Sequence, residues 1–184
     1  MTKDKLFDIN DTLTQKGILT LFGEVDDKIS QHLVESIIAY NLTKQHKLKH
    51  LTLLVNSEGG DLSEAFAIID TMNSSKLPIH TIALGQISSA GLIIFMNGQV
   101  GQRVLRPNVS IMSHQWFGSI SGKMHELMNA QTDFNLTKTR VADHYSRRSK
   151  LSSEEIDKLL LPPHDVFLTP EQAMEYGIAD RIEV

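Results

Sequence analysis

The period of the apolar positions changes along the chain, and each change marks a new element. "GILTLFGEV" (17–25) alternates apolar and polar residues, which predicts a half-buried strand. "ISQHLVESIIAYNLTKQ" (29–45) carries apolar residues at 29, 33, 34, 37, 38 and 40, the stripe of an amphipathic helix. "HLTLLVNS" (50–57) predicts a second strand. "DLSEAFAIIDTMNSS" (61–75) predicts a helix, with Asp61 and Glu64 at capping-box spacing. "IHTIALGQ" (79–86) is a third strand pattern, and "AGLIIFMNG" (90–98) a short helix that Gly98 ends. "VGQRVLRPNVSIMSHQ" (100–115) supplies a strand, a turn at Arg106-Pro107-Asn108 and another strand. Alternation of strand and helix predicts parallel pairing and an α/β fold.

The second half has a different rhythm. From Lys123 to Arg148 runs one amphipathic stretch, with Met124, Leu127, Met128, Phe134, Val141 and Tyr145 among its apolar positions. As a helix it would extend roughly 40 Å at 1.5 Å per residue. Such a rod either packs on its own domain or projects to meet a second subunit. "LSSEEIDKLL" then starts a helix with Ser152 and Glu155 as a capping box. "LTPEQAMEYG" starts the last, with Thr169 as cap, Pro170 in the first turn, Gln172 three after the cap and Gly177 as stop.

Composition narrows the function classes. The 184 residues suit one domain, and at 41% hydrophobic and 22% charged they suffice for a packed core. A net charge of −4 argues against a nucleic-acid partner. The chain holds no cysteine, which removes disulfides, thiolate metal sites and a cysteine nucleophile. No apolar run reaches the roughly 20 residues of a membrane span. "MTKDKLFDIN" lacks the apolar stretch of a secretory signal, so the expectation is a cytoplasmic protein without a membrane. No repeat or linker breaks the chain, and no His/Asp/Glu set shows metal-ligand spacing.

Four stretches could carry chemistry. In "VNSEGGD" two glycines follow a strand and precede a helix; they read either as a tight turn or as a loop with uncovered N–H groups. In "GQISSAG" Ser89 lies between a strand and an apolar helix, so it is either a helix cap or a hydroxyl exposed at the sheet's edge, and Ser88 fits a cap equally well. His114 ends the apolar strand of "SIMSHQWFG", as a satisfied core histidine or as a base for a serine proton. His46 and His50, in "KQHKLKH", read as a solvated basic patch. Asp165 of "PPHDVFLTPEQA" is either a turn aspartate bonding local N–H groups or a carboxylate that orients His114.

Taken in order, these segments resemble the proteolytic-subunit family of the Clp protease, the ClpP family. "FDIND" and "LFGEVDD" match its opening segment and first strand–helix turn. "VNSEGGD" stands where the family has Asn-Ser-Pro-Gly-Gly, "GQISSAG" where it has Gly-Gln-Ala-Ala-Ser-Met-Gly, and "IMSHQ" where it has Ile-Met-Ile-His-Gln. "HDVFLTPEQAMEYGIAD" matches the Asp-containing stretch and closing helix, so the likeness spans roughly residues 7 to 182. It implies a ClpP/crotonase-like spiral of β-β-α units with a projecting handle helix. Residues 1–184 then form a single protease domain, with 1–16 a short N-terminal segment and about 120–150 the handle region. By position, Ser89 resembles the nucleophile, His114 the general base and Asp165 its orienting acid. Gly60 and Ala90 resemble the donors of the oxyanion-hole N–H groups.

The resemblance further implies an endopeptidase acting on unfolded polypeptides or peptides through an acyl-enzyme. It implies a homo-oligomer of two stacked heptameric rings, joined by the handle, with the segment 116–122 edging the substrate groove. No cofactor is expected in the subunit itself; ATP would enter only through a Clp-type AAA+ unfoldase as partner. Departures from the family fall on Glu58 and Trp116, each in place of a proline, and on Pro163-His164 before the acid. Few residues precede "FDI", where members carry an axial gate, and the aromatics of the family's ATPase-docking pocket stand here as Thr52, Leu54 and Ser74. Two alternatives remain beside the peptidase: a catalytically silent ring or scaffold subunit, and a crotonase-like acyl-CoA enzyme.

Overall fold

A computed structural model of the chain describes residues 9–43, 48–115 and 121–184. His46, Trp116 and most of the expected groove-edging segment, 116–120, lie outside the described residues, as does the start of "FDIND".

A short helix α1 (Ile9–Gln15) leads into strand β1 (Ile18–Val25). Helix α2 (Asp27–Leu42) starts two residues earlier than its apolar stripe, because Asp26 caps it by accepting the Ile29 N–H at 2.8 Å. Strand β2 (Leu51–Gly60) feeds α3 (Leu62–Ser74), and β3 (Ile79–Ser88) feeds α4 (Ala90–Met96). Two short strands follow, β4 (Arg103–Leu105) and β5 (Ser110–Ser113). The long helix α5 (Met124–Arg148) and α6 (Ser153–Leu159) precede β6 (Val166–Leu168), α7 (Pro170–Glu175) and β7 (Arg181–Ile182). The chain is therefore α/β, as the alternation predicts.

Three readings need correction. The glycines of "VNSEGGD" are not a turn after β2 but its last two residues, with Gly59 paired to Glu24 and Gly60 to Val25. A register shift between Phe22 and Glu24 absorbs the extra residue of β2, so the strand continues where the local sequence suggests a stop. The Asp61/Glu64 box is only half formed. Asp61 accepts N–H bonds from Ser63 and Glu64, but its own N–H goes to the Val25 carbonyl, so the Glu64 carboxylate has no donor to answer. Third, the sheet is mixed rather than wholly parallel: β6 runs antiparallel to β5.

The sheet order is β1-β2-β3-β4-β7, all parallel, with β5 and β6 off that path. The branch is made by β3. Its first half, Thr81 to Ala83, pairs with β4; its second half, Gln86 to Ser88, pairs with β5. Between them the strand bulges at Gly85, and the Asn56 side chain fills the gap by accepting the Gln86 N–H at 3.1 Å. All seven residues of α4 are buried, as a helix apolar on every side must be. It packs on β2, β3 and α3.

Only the second half of α5 joins this core. Thr137, Val141, His144 and Tyr145 are buried there. Arg103, buried and ion-paired with Asp180, donates to the Arg148 carbonyl at 2.7 Å and fixes the helix end. The earlier turns stand clear of the body, with Met124 73% and Met128 66% exposed. No helix among the described residues is long and apolar enough to cross a membrane.

Candidate active site

Strand β5 brings the candidate residues together. On one side it pairs in parallel with the end of β3, matching Ser88 to Met112, and the Ser89 N–H donates to the Met112 carbonyl at 3.0 Å. On the other side Ser113 pairs antiparallel with Val166 of β6. One step beyond that pair in each strand lie His114 and Asp165, so the ladder itself sets one against the other. The His114 Nε2 sits 2.8 Å from the Ser89 Oγ. Its Nδ1 sits 3.4 Å from the Asp165 Oδ1, an ion-pair distance longer than a well-formed N–H···O bond. The imidazole side chain is 23% exposed and the carboxylate 57%.

Ser89 holds the position of an N-cap on α4, but its side chain makes no capping bond. Its hydroxyl faces His114 instead, which decides between the two readings that the sequence leaves open. Its φ of 51° is the only positive value at a non-glycine among the described residues. A left-handed serine costs of order 1–3 kcal/mol and persists only where its surroundings impose it. Here the Met112 carbonyl holds the Ser89 N–H from β5. The Ser89 carbonyl accepts from Leu92 and Ile93 and begins α4. Ser88, buried at the end of β3, has no part in this contact.

The glycines at the end of β2 permit the close approach. A side chain at Gly59 would come within 2.7 Å of the Ser89 Cβ and 3.0 Å of the Ala90 nitrogen. One at Gly60 would strike the Val25 carbonyl oxygen at 2.4 Å. The two differ in their donors. The Gly59 N–H is taken by the buried Ser57 hydroxyl at 3.1 Å, a contact that the sequence motif does not signal. The Ala90 N–H opens α4, where no helical acceptor exists for it. Glu58, between Ser57 and this pair, is exposed to solvent.

Asp165 does not behave as a turn aspartate: His114 is its partner, and none of its oxygens accepts a local N–H among the described residues. Beneath the Ser89–His114 pair lies a cavity of about 20 Å³, lined by Leu62, Ser89, Ile93, His114, Val141 and Tyr145. The Tyr145 hydroxyl meets the Ser113 Oγ at 2.8 Å, and Ser113 in turn donates to the Leu160 carbonyl. Burial pushes the Tyr145 phenol up to about 12 against the smaller pull of Ser113, so it stays neutral.

Of the other histidines, His50 lies exposed and stacks on His80 at 4.0 Å between ring centroids, far from this site in the fold. No group of three or more His, Asp or Glu among the described residues could hold a metal ion. The arrangement can deprotonate a serine hydroxyl and stabilise the resulting imidazolium. The Clp protease family model matches residues 1–184, and the chain belongs to that family, as a ClpP-like protein.

Proposed function

We propose that the protein is a serine endopeptidase that cleaves unfolded polypeptides or peptides through an acyl-enzyme. The observation that carries this reading is the 2.8 Å contact between the Ser89 Oγ and the His114 Nε2, with Asp165 behind the ring. His114 takes the serine proton as Oγ attacks the peptide carbonyl carbon. The N–H groups of Gly60 and Ala90 hold the developing oxyanion; Gly60 is the better candidate of the two glycines because Ser57 occupies Gly59. His114 then gives its proton to the leaving amine. Water, deprotonated by the same imidazole, hydrolyses the ester and frees Ser89. Asp165 fixes the Nδ1–H tautomer and stabilises the charged ring. Nothing in this sequence of steps calls for a cofactor in the subunit.

Assembly into two stacked heptameric rings belongs to the same proposal. Its support is the exposed apolar surface on the early turns of α5, Met124, Leu127, Met128 and Leu136, which a facing subunit would cover. A Clp-type AAA+ partner has weaker support, since Thr52 and Leu54 stand half-buried on β2 and Ser74 bonds back to its own helix at Thr71.

A fluorophosphonate probe tests the chemistry. Wild-type protein is expected to gain one adduct, mapped to Ser89 by peptide mass spectrometry, and Ser89→Ala none. Peptide cleavage should fall by roughly two orders of magnitude or more in the variant. Wild type that stays unlabelled would leave a silent ring subunit in place of the enzyme.

A further inference from the structure

Beside the nucleophile, at the Ser89–His114 pair, lies a small cavity into which a substrate side chain can turn. Its volume of about 20 Å³ holds roughly one water-sized group. Its walls are apolar: Leu62 from the first turn of α3, Ile93 from α4, and Val141 with Tyr145 from α5. Ile93, Val141 and Tyr145 are each 4% exposed or less.

The walls are also fixed. Tyr145 donates to the Ser113 Oγ, because the serine hydrogen is already committed to the Leu160 carbonyl. The ring's polar end is thus tied to β5 and, through Ser113, to Leu160 at the end of α6. The next residue, His144, bonds the Ile93 carbonyl at 2.8 Å, so α5 cannot slide away from α4 without breaking a buried hydrogen bond. Enlarging the cavity means moving a ring held at its polar end within a close-packed core.

We propose that the site selects substrates whose residue before the scissile bond carries a methyl-sized side chain, with alanine the best, and that Tyr145 and Val141 set this limit. The proposal rests on the serine-peptidase reading and names the substrate class of that site. An alanine methyl fills the space without a polar group to strand; a leucine must displace the Tyr145 ring or leave its side chain outside. Apolar pockets discriminate about 10–200-fold for a single methylene of misfit, and leucine exceeds alanine by three carbons.

The test uses the full chain and two peptidyl diphenyl phosphonates that differ only in carrying the alanine or the leucine side chain. In the reaction the Ser89 Oγ bonds to phosphorus, one phenoxide departs, and the serine proton passes through His114 to that phenoxide. Intact mass gives the rate. The alanine reagent is expected to label wild type at least ~10-fold faster than the leucine reagent. Val141→Ala, which widens the wall by two methyl groups, should narrow or invert the ratio. Tyr145→Phe, which keeps the ring but frees its end from Ser113, should also narrow the ratio. Equal or faster labelling by leucine, or no labelling by the alanine reagent in a protein that a fluorophosphonate still modifies at Ser89, overturns the small-side-chain limit and leaves the peptidase reading intact. Failure of the fluorophosphonate itself overturns both.

Discussion

The two halves of α5 share one hydrogen-bonded rod and differ in nearly everything else. From Met124 to Leu136 no residue of the helix is buried, and Met124, Met128 and Leu136 face water. From Thr137 to Arg148 it is tied down by four contacts: His144 to the Ile93 carbonyl, Tyr145 to Ser113, Arg148 to Asn73, and Arg103 to the Arg148 carbonyl. The apolar spacing continues across the boundary, so the pattern alone does not mark it. What marks it is polar: the anchored half carries the buried hydrogen-bonding groups, and the free half carries none. An amphipathic stripe says that a helix will be covered; the buried polar partners say by which chain.

That contrast breaks hardest at the anchor. Asp180→Ala leaves the Arg103 guanidinium buried without its carboxylate, and should cost about 3–5 kcal/mol of unfolding free energy by urea titration. A loss under ~1 kcal/mol would mean that the helix end is held by apolar packing alone. Next in size is a pH effect. Burial, with smaller pushes from Arg148 and Arg147, lowers the His144 pKa to about 4 although the Ile93 carbonyl pulls the other way. The unfolded imidazole binds a proton near pH 6.5, so between these values the unfolded state holds more protons. Stability is therefore complete above about pH 6.5 and falls by about 3 kcal/mol as the pH drops to about 4. His144→Gln, which can still donate to Ile93, should flatten that slope; an unchanged slope would place the proton elsewhere.

The free half should respond in the opposite way. Met124→Ser combined with Met128→Ser is expected to change the unfolding free energy of the isolated subunit by no more than ~0.5 kcal/mol. Light scattering should nevertheless report a smaller particle. An unaltered particle would show that the exposed methionines join no interface.

The elements from β1 to β5 were legible because each carries its own apolar pattern, whereas α1, in the expected N-terminal segment, was not foreseen. The candidate triad was legible as three residue types in family order, and the fold does bring Ser89, His114 and Asp165 together. What was hidden depends on partners distant in sequence. The three residues of β6, "VFL", carry no period of their own and become a strand only by pairing with β5. The extension of β2 through two glycines depends on Val25, and the left-handed turn at Ser89 depends on Met112. The role of Ser57 in occupying the Gly59 N–H is invisible in "VNSEGGD", where any of three N–H groups could serve.

The antiparallel step from β5 to β6 has a consequence for the order in which the protein acquires its chemistry. Synthesis runs from the N-terminus, and serine and base lie on segments that emerge well before the long helix. Asp165 lies beyond that helix and reaches its place only when β6 adds to the free edge of β5. A chain still being made can hold its hydroxyl against its imidazole with no carboxylate behind them. The three candidate residues can meet only once the chain through β6 has left the ribosome, later than Ser89 and His114 can meet each other.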